Sequence, residues 1–133
     1  NKGVEDLLDY WFSLETKTDK ELIKYIQELR GQGVLCFLAT NNEKYRFEYI
    51  MNEMGLGKMF DKGYSSAYLG YKKPDQEFFL KIYNELKNIK KSEILLIDDT
   101  IENVRGGEKF GFNATTFTSL DNLRDKIEFL NKN

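Results

Sequence analysis

Ile94-Leu95-Leu96-Ile97-Asp98-Asp99-Thr100-Ile101-Glu102-Asn103 is the stretch on which the fold turns. Four consecutive apolar residues read as a strand buried on both faces, the habit of a parallel sheet. The run enters two adjacent carboxylates, which repel each other and lose hydration at the mouth of a buried strand. A cation, a proton or several donors must then be close by. In open parallel sheets ligands bind in the crevice at the carboxyl ends of the strands, so position and chemistry agree. The plainer reading is that Asp98 caps the following helix and Asp99 is solvated, since Asp is a favoured N-cap residue.

Working outward, strand and helix patterns alternate. Downstream, a helix is predicted from about Ile101 to Phe110 with a stop at Gly111, then a short strand near Ala114 to Phe117 and a last helix from about Leu120 to Leu130. The glycines at Gly106 and Gly107 cost roughly 1 kcal/mol each against alanine inside a helix, so close packing on the sheet is expected there. Upstream, Lys72-Lys73-Pro74-Asp75 opens a helix buried through Phe78, Phe79, Ile82, Tyr83 and Leu86, with the only proline of the chain at or near its first turn. A short strand is read near Lys62 to Ser66. Val34 to Thr40 is a second all-apolar strand, followed by a helix from about Glu43 to Met54 that stops at Gly55. Before it, Thr18-Asp19-Lys20-Glu21 forms a capping-box pattern for a helix striped by Leu22, Ile23, Ile26 and Leu29 and ended by Gly31 and Gly33. Val4, Leu7, Leu8, Trp11 and Phe12 recur at helical spacing and predict a short amphipathic helix ending near Ser13. Such alternation implies a parallel α/β sheet covered on both faces, with right-handed crossovers.

A chain of 133 residues suffices for one core. With 20 Lys and Arg against 22 Asp and Glu, the net charge of -2 carries no nucleic-acid footprint and no basic membrane patch. The absence of histidine removes Ser-His-Asp and Cys-His catalysis and leaves carboxylates, lysines, hydroxyls and amides. Cys36, the lone cysteine, lies in an apolar run and reads as a buried structural thiol. With no long apolar span and no leader pattern, a cytoplasmic location is expected.

Three polar signatures fall near predicted strand ends: Thr40-Asn41, Lys73-Pro74, and Asp98-Asp99 with Asn103. A hydroxyl with turn amides, a cation and a carboxylate pair can hold a phosphoryl group beside a divalent ion. Singly each has a plainer meaning: Thr40 as a helix cap, Lys73 as a solvated surface lysine. In this order and on this background, Leu38-Ala39-Thr40-Asn41-Asn42, Gly70-Tyr71-Lys72-Lys73-Pro74-Asp75 and Leu96-Ile97-Asp98-Asp99-Thr100-Ile101-Glu102-Asn103-Val104 resemble the second, third and fourth motifs of the haloacid dehalogenase-like (HAD) hydrolase superfamily.

The resemblance implies a Rossmann-like three-layer α/β/α core with a parallel sheet over residues 21–133, and a remnant of a helical cap with its connection over residues 1–20. It implies a Mg²⁺-dependent phosphatase acting on a small phosphorylated metabolite through an aspartyl-phosphate intermediate. Thr40 and the Asn41 amide would bind phosphoryl oxygens and Lys73 would neutralise the nucleophile and the transferring group. Asp99 would ligate Mg²⁺ directly, with Asp98 beside it in the catalytic crevice and Asn103 supporting the metal. The family's nucleophile is the first residue of an Asp-x-Asp at the end of the first strand, and no Asp-x-Asp occurs in this chain. The first strand is therefore expected to be missing and the chain alone inactive, with Mg²⁺ bound weakly at best. The two strands that would flank the gap are expected to close up, borrow a strand or self-associate through their exposed edges. Three other readings stand beside this one: a non-catalytic HAD-like binding protein, dehalogenase chemistry on the same scaffold, and a phosphoacceptor receiver domain. A receiver places its Asp pair first and its Lys-Pro last, the reverse of the order here.

Overall fold

The computed structural model describes residues 7, 9–13 and 20–132. Its centre is a five-stranded, wholly parallel sheet built from β1 (Asp9–Ser13), β2 (Leu35–Thr40), β3 (Lys62–Ser65), β4 (Ile94–Asp98) and β5 (Asn113–Thr116), in the order β3-β2-β1-β4-β5. Side chains alternate along each inner strand. Tyr10, Phe12, Cys36, Leu38, Leu95 and Ile97 face one layer, formed by α1 (Lys20–Gly31), the helical turns around Ile50 and α6 (Leu120–Lys132). On the other face, Trp11, Phe37, Ala39, Ile94 and Leu96 meet α4 (Gln76–Tyr83), and α5 (Ile101–Phe110) lies beside it. The three-layer α/β/α fold is as the alternation implied.

One expectation is corrected. Trp11 and Phe12 lie in a strand, not a helix, and that strand fills the central slot between β2 and β4 that was expected to be empty. The physical reason is burial. Tyr10, Trp11 and Phe12 are three consecutive aromatics, each at most 1% exposed. A helix lying on the sheet hides one stripe, whereas a central strand hides both faces and suits bulky aromatic side chains. Val4, Leu8 and the Thr18-Asp19 half of the capping box lie outside the described residues. The neighbouring edges of β2 and β4 are paired, so self-association through them has no basis.

Smaller differences concern helix starts. The proline expected at or near a first helical turn stands just before α4, whose N-cap is Asp75, and the Lys73–Pro74 bond is cis. The helix expected from Glu43 to Met54 is α2 (Lys44–Glu48) continued by a π-type turn over Tyr49–Glu53, and the short α3 (Ser66–Leu69) follows β3 directly. The glycine pair behaves as expected. A Cβ on Gly107 would stand 2.6 Å from Leu96 Cδ2, and one on Gly106 would stand 2.8 Å from Pro74 Cβ and 3.0 Å from the Pro74 carbonyl oxygen. Those two residues let α5 settle onto β4 and onto the loop that carries Lys73.

Candidate active site

At the carboxyl end of the sheet, β2, β1 and β4 finish side by side. Ser13 of β1 is in register with Asp98, and Phe12 with Leu38, so Ser13 is level with Ala39. Lys73 spans this end. Its Nζ donates to the Ala39 carbonyl at 3.0 Å and to Asp98 Oδ2 at 3.0 Å, bridging from β2 across the end of β1 to β4. Lys73 is 6% exposed and Asp98 1%, so the reading of Lys73 as a solvated surface lysine is excluded.

Burying an ammonium costs several kcal/mol unless its donors are met, and here a carboxylate and a carbonyl meet two of them. The backbone of Lys73 is fixed as firmly. Asn41 Nδ2 donates to the Lys73 carbonyl at 3.1 Å, and the Lys73 N–H donates to Asn41 Oδ1 at 2.9 Å. These reciprocal bonds dock the third motif against the end of β2. They give the Asn41 side chain a positioning role that sequence reading did not foresee. Ser65, also unforeseen and 1% exposed, donates from its hydroxyl to the Asn42 carbonyl and accepts from the Ala67 N–H at 3.2 Å, tying the same turn to β3 and α3. A serine between a short strand and a helix, where hydroxyl residues cap, was the available signal.

The two adjacent aspartates have different fates. Asp98 Oδ1 accepts from the Thr100 N–H at 2.9 Å while Oδ2 takes Lys73, so both oxygens are engaged. Its own carbonyl accepts from Phe117 N at 2.8 Å, extending the ladder toward β5. Asp99 is exposed, and among the described residues it has a 3.5 Å contact from the Thr100 hydroxyl. Asn103, one turn into α5, is 9% exposed. Thr40 ends β2 at 7% exposure, and the cap of α2 is Glu43, so Thr40 is not a helix cap.

Asp99 and Asn103 therefore offer oxygen donors suited to a hard cation, while Asp98 is committed to Lys73. No cluster of three or more His, Cys, Asp or Glu side chains occurs among the described residues. A Mg²⁺ ion at Asp99 would complete its shell with water and substrate oxygens, as that ion usually does.

A family model for haloacid dehalogenase-like hydrolases matches residues 4–111. The chain belongs to the HAD-like hydrolases. Among curated proteins it is similar to the sesquiterpene phosphatase astK of Aspergillus oryzae, 28% identical over 95 residues, covering 71% of this chain and 48% of the relative. The chain thus spans about half the length of that relative. A predicted HAD-like family hydrolase of Porphyromonas gingivalis is 29% identical with a TM-score of 0.73, over 86% of this chain and 58% of that one. A HAD-family enzyme of Bacteroides thetaiotaomicron, in complex with magnesium and inorganic phosphate, shares the fold at 19% identity and a TM-score of 0.69, over 79% and 57% of the two chains. The HAD-like order of motifs also disposes of the receiver reading.

Proposed function

We propose that this chain carries the phosphate- and metal-binding part of a Mg²⁺-dependent phosphatase site that acts on a small phosphorylated metabolite. The observation that supports it most is the buried Lys73 ammonium held at the carboxyl end of the sheet beside an exposed Asp99. In this reading the Thr40 hydroxyl and the Asn41 amide receive phosphoryl oxygens, and Lys73 offsets the negative charge that gathers there. Asp98 acts on the reaction by holding Lys73 in place. Asp99, supported by Asn103, would hold Mg²⁺, which supplies Lewis-acid stabilisation of phosphoryl oxygens when bound. The phosphatase among the curated relatives and the magnesium and phosphate in the B. thetaiotaomicron enzyme support the reading as a phosphatase that uses magnesium.

The route through an aspartyl phosphate needs a carboxylate nucleophile, and the end of the central strand carries Ser13. That observation favours a second reading, in which the domain binds phosphoryl ligands without turnover. Hydrolysis of p-nitrophenyl phosphate with Mg²⁺, by the product of the complete coding sequence, separates the two. The phosphatase reading expects turnover that falls at least about a hundredfold in Asp99→Asn and in Lys73→Ala, the scale of losing one charge-stabilising group. Undiminished turnover in both variants contradicts the site assignment, and no turnover in the intact protein leaves the binding reading. Turnover of haloalkanoic acids instead would establish dehalogenase chemistry.

A further inference from the structure

We propose that the free edge of β5 is a docking site for an extended acidic segment of a partner protein. The sheet has two outer strands, and they differ. β3 carries Lys62, an exposed charge of the kind that keeps edges from pairing. Asn113-Ala114-Thr115-Thr116 of β5 has no charge, no proline and no glycine. The Phe117 N–H points back to Asp98 of β4, so by strand alternation the N–H and C=O groups of Ala114 and Thr116 point outward.

Beyond that edge lies a cleft of about 410 Å³, with Arg105 and Glu108 of α5 on one wall, Asn122 and Lys126 of α6 on the other, and Ala114 and Thr116 at its floor. An added strand would run along this edge between α5 and α6, with the outward main-chain groups of Ala114 and Thr116 as its partners. Arg105 and Lys126 are exposed and join no ion pair among the described residues. Two cations against one carboxylate leave the slot net positive. Successive side chains of an added strand point to opposite walls, so adjacent carboxylates would meet Lys126 on one side and Arg105 on the other. A second copy of the chain fits less well, because its β5 is neutral and it would bring its own Arg105 and Lys126 against these.

The probe is the peptide acetyl-Val-Thr-Glu-Asp-Thr-Val-amide, titrated into the ¹⁵N-labelled chain and followed by amide shifts. Saturable shifts confined to residues 101–126 are expected, with affinity lowered at least about tenfold by the double variant Arg105→Glu/Lys126→Glu. Thr116→Pro, which removes an outward N–H at an edge position where proline is tolerated, should weaken binding as well. The proposal is overturned if the acidic peptide causes no shifts, if a peptide with Lys at both acidic positions binds equally well, or if the edge is instead consumed by concentration-dependent dimerisation.

Discussion

Among the described residues two Lys–carboxylate pairs can be compared, and the shorter one is the weaker. Lys62 and Glu85 meet at 2.8 Å with side chains 55% and 46% exposed, while Lys73 and Asp98 meet at 3.0 Å with side chains 5% and 1% exposed. Water separates their fates. An exposed pair is screened and loses side-chain freedom, so it is worth about 0–1 kcal/mol. A buried pair has surrendered its hydration, so removing one partner strands a charge in the interior. The pair that grips is the one at the proposed site, and it costs stability to keep a cation there.

The largest expected effect is accordingly at Asp98. Asp98→Ala should lower the unfolding free energy by about 3–5 kcal/mol, read by urea denaturation, because Lys73 loses its counter-charge. Replacing both partners, Lys73→Met with Asp98→Leu, should cost far less than the two single losses combined, since no charge remains stranded. An additive double variant would show that the pair is not coupled as its geometry implies. Next in size is Gly106→Ala, expected to destabilise by about 1–3 kcal/mol despite the better helix propensity, because its Cβ meets the Pro74 backbone.

Smallest is Glu85→Gln, expected within about 0.5 kcal/mol at neutral pH. The hydrogen bond from Lys62 holds the Glu85 carboxyl below its ordinary 4.5. A depressed folded pKa gives stability that is present above 4.5 and fades as pH falls through the folded value. The difference between wild type and Glu85→Gln should thus shrink below that range and also in high salt. Persistence of the difference in strong acid would contradict this account of the exposed pair.

Two of the three motifs were legible because an apolar strand, β2 or β4, runs into polar residues that a strand interior would not tolerate, and the third, Lys73-Pro74, was legible as the proline-marked loop before a helix. The order Thr40, Lys73, Asp98 distinguished one α/β family from another with the same residue types. Three features were not legible. Trp11 and Phe12 fit helical spacing and strand alternation equally well, and only the tertiary demand for a strand buried on both faces decides between them. Asp98 and Asp99 are identical in type and adjacent, so which is buried depends on where the loop delivers Lys73. The clasp between Asn41 and the Lys73 backbone joins residues 32 apart in the chain and leaves no local trace.

The central claim is that phosphate and Mg²⁺ meet at the carboxyl end of β2 and β4. The direct measurement is an amide-shift titration of the ¹⁵N-labelled chain with Mg²⁺ and inorganic phosphate, in wild type and in Asp99→Asn, an exposed position whose change leaves the buried pair intact. The account expects weak, saturable shifts centred on Asn41, Asn42, Lys73, Asp99 and Thr100, with the Mg²⁺-dependent part absent in the variant. Shifts centred elsewhere, for instance at the cleft around Tyr25 and Arg124 between α1 and α6, or a Mg²⁺ response unchanged in Asp99→Asn, would contradict it.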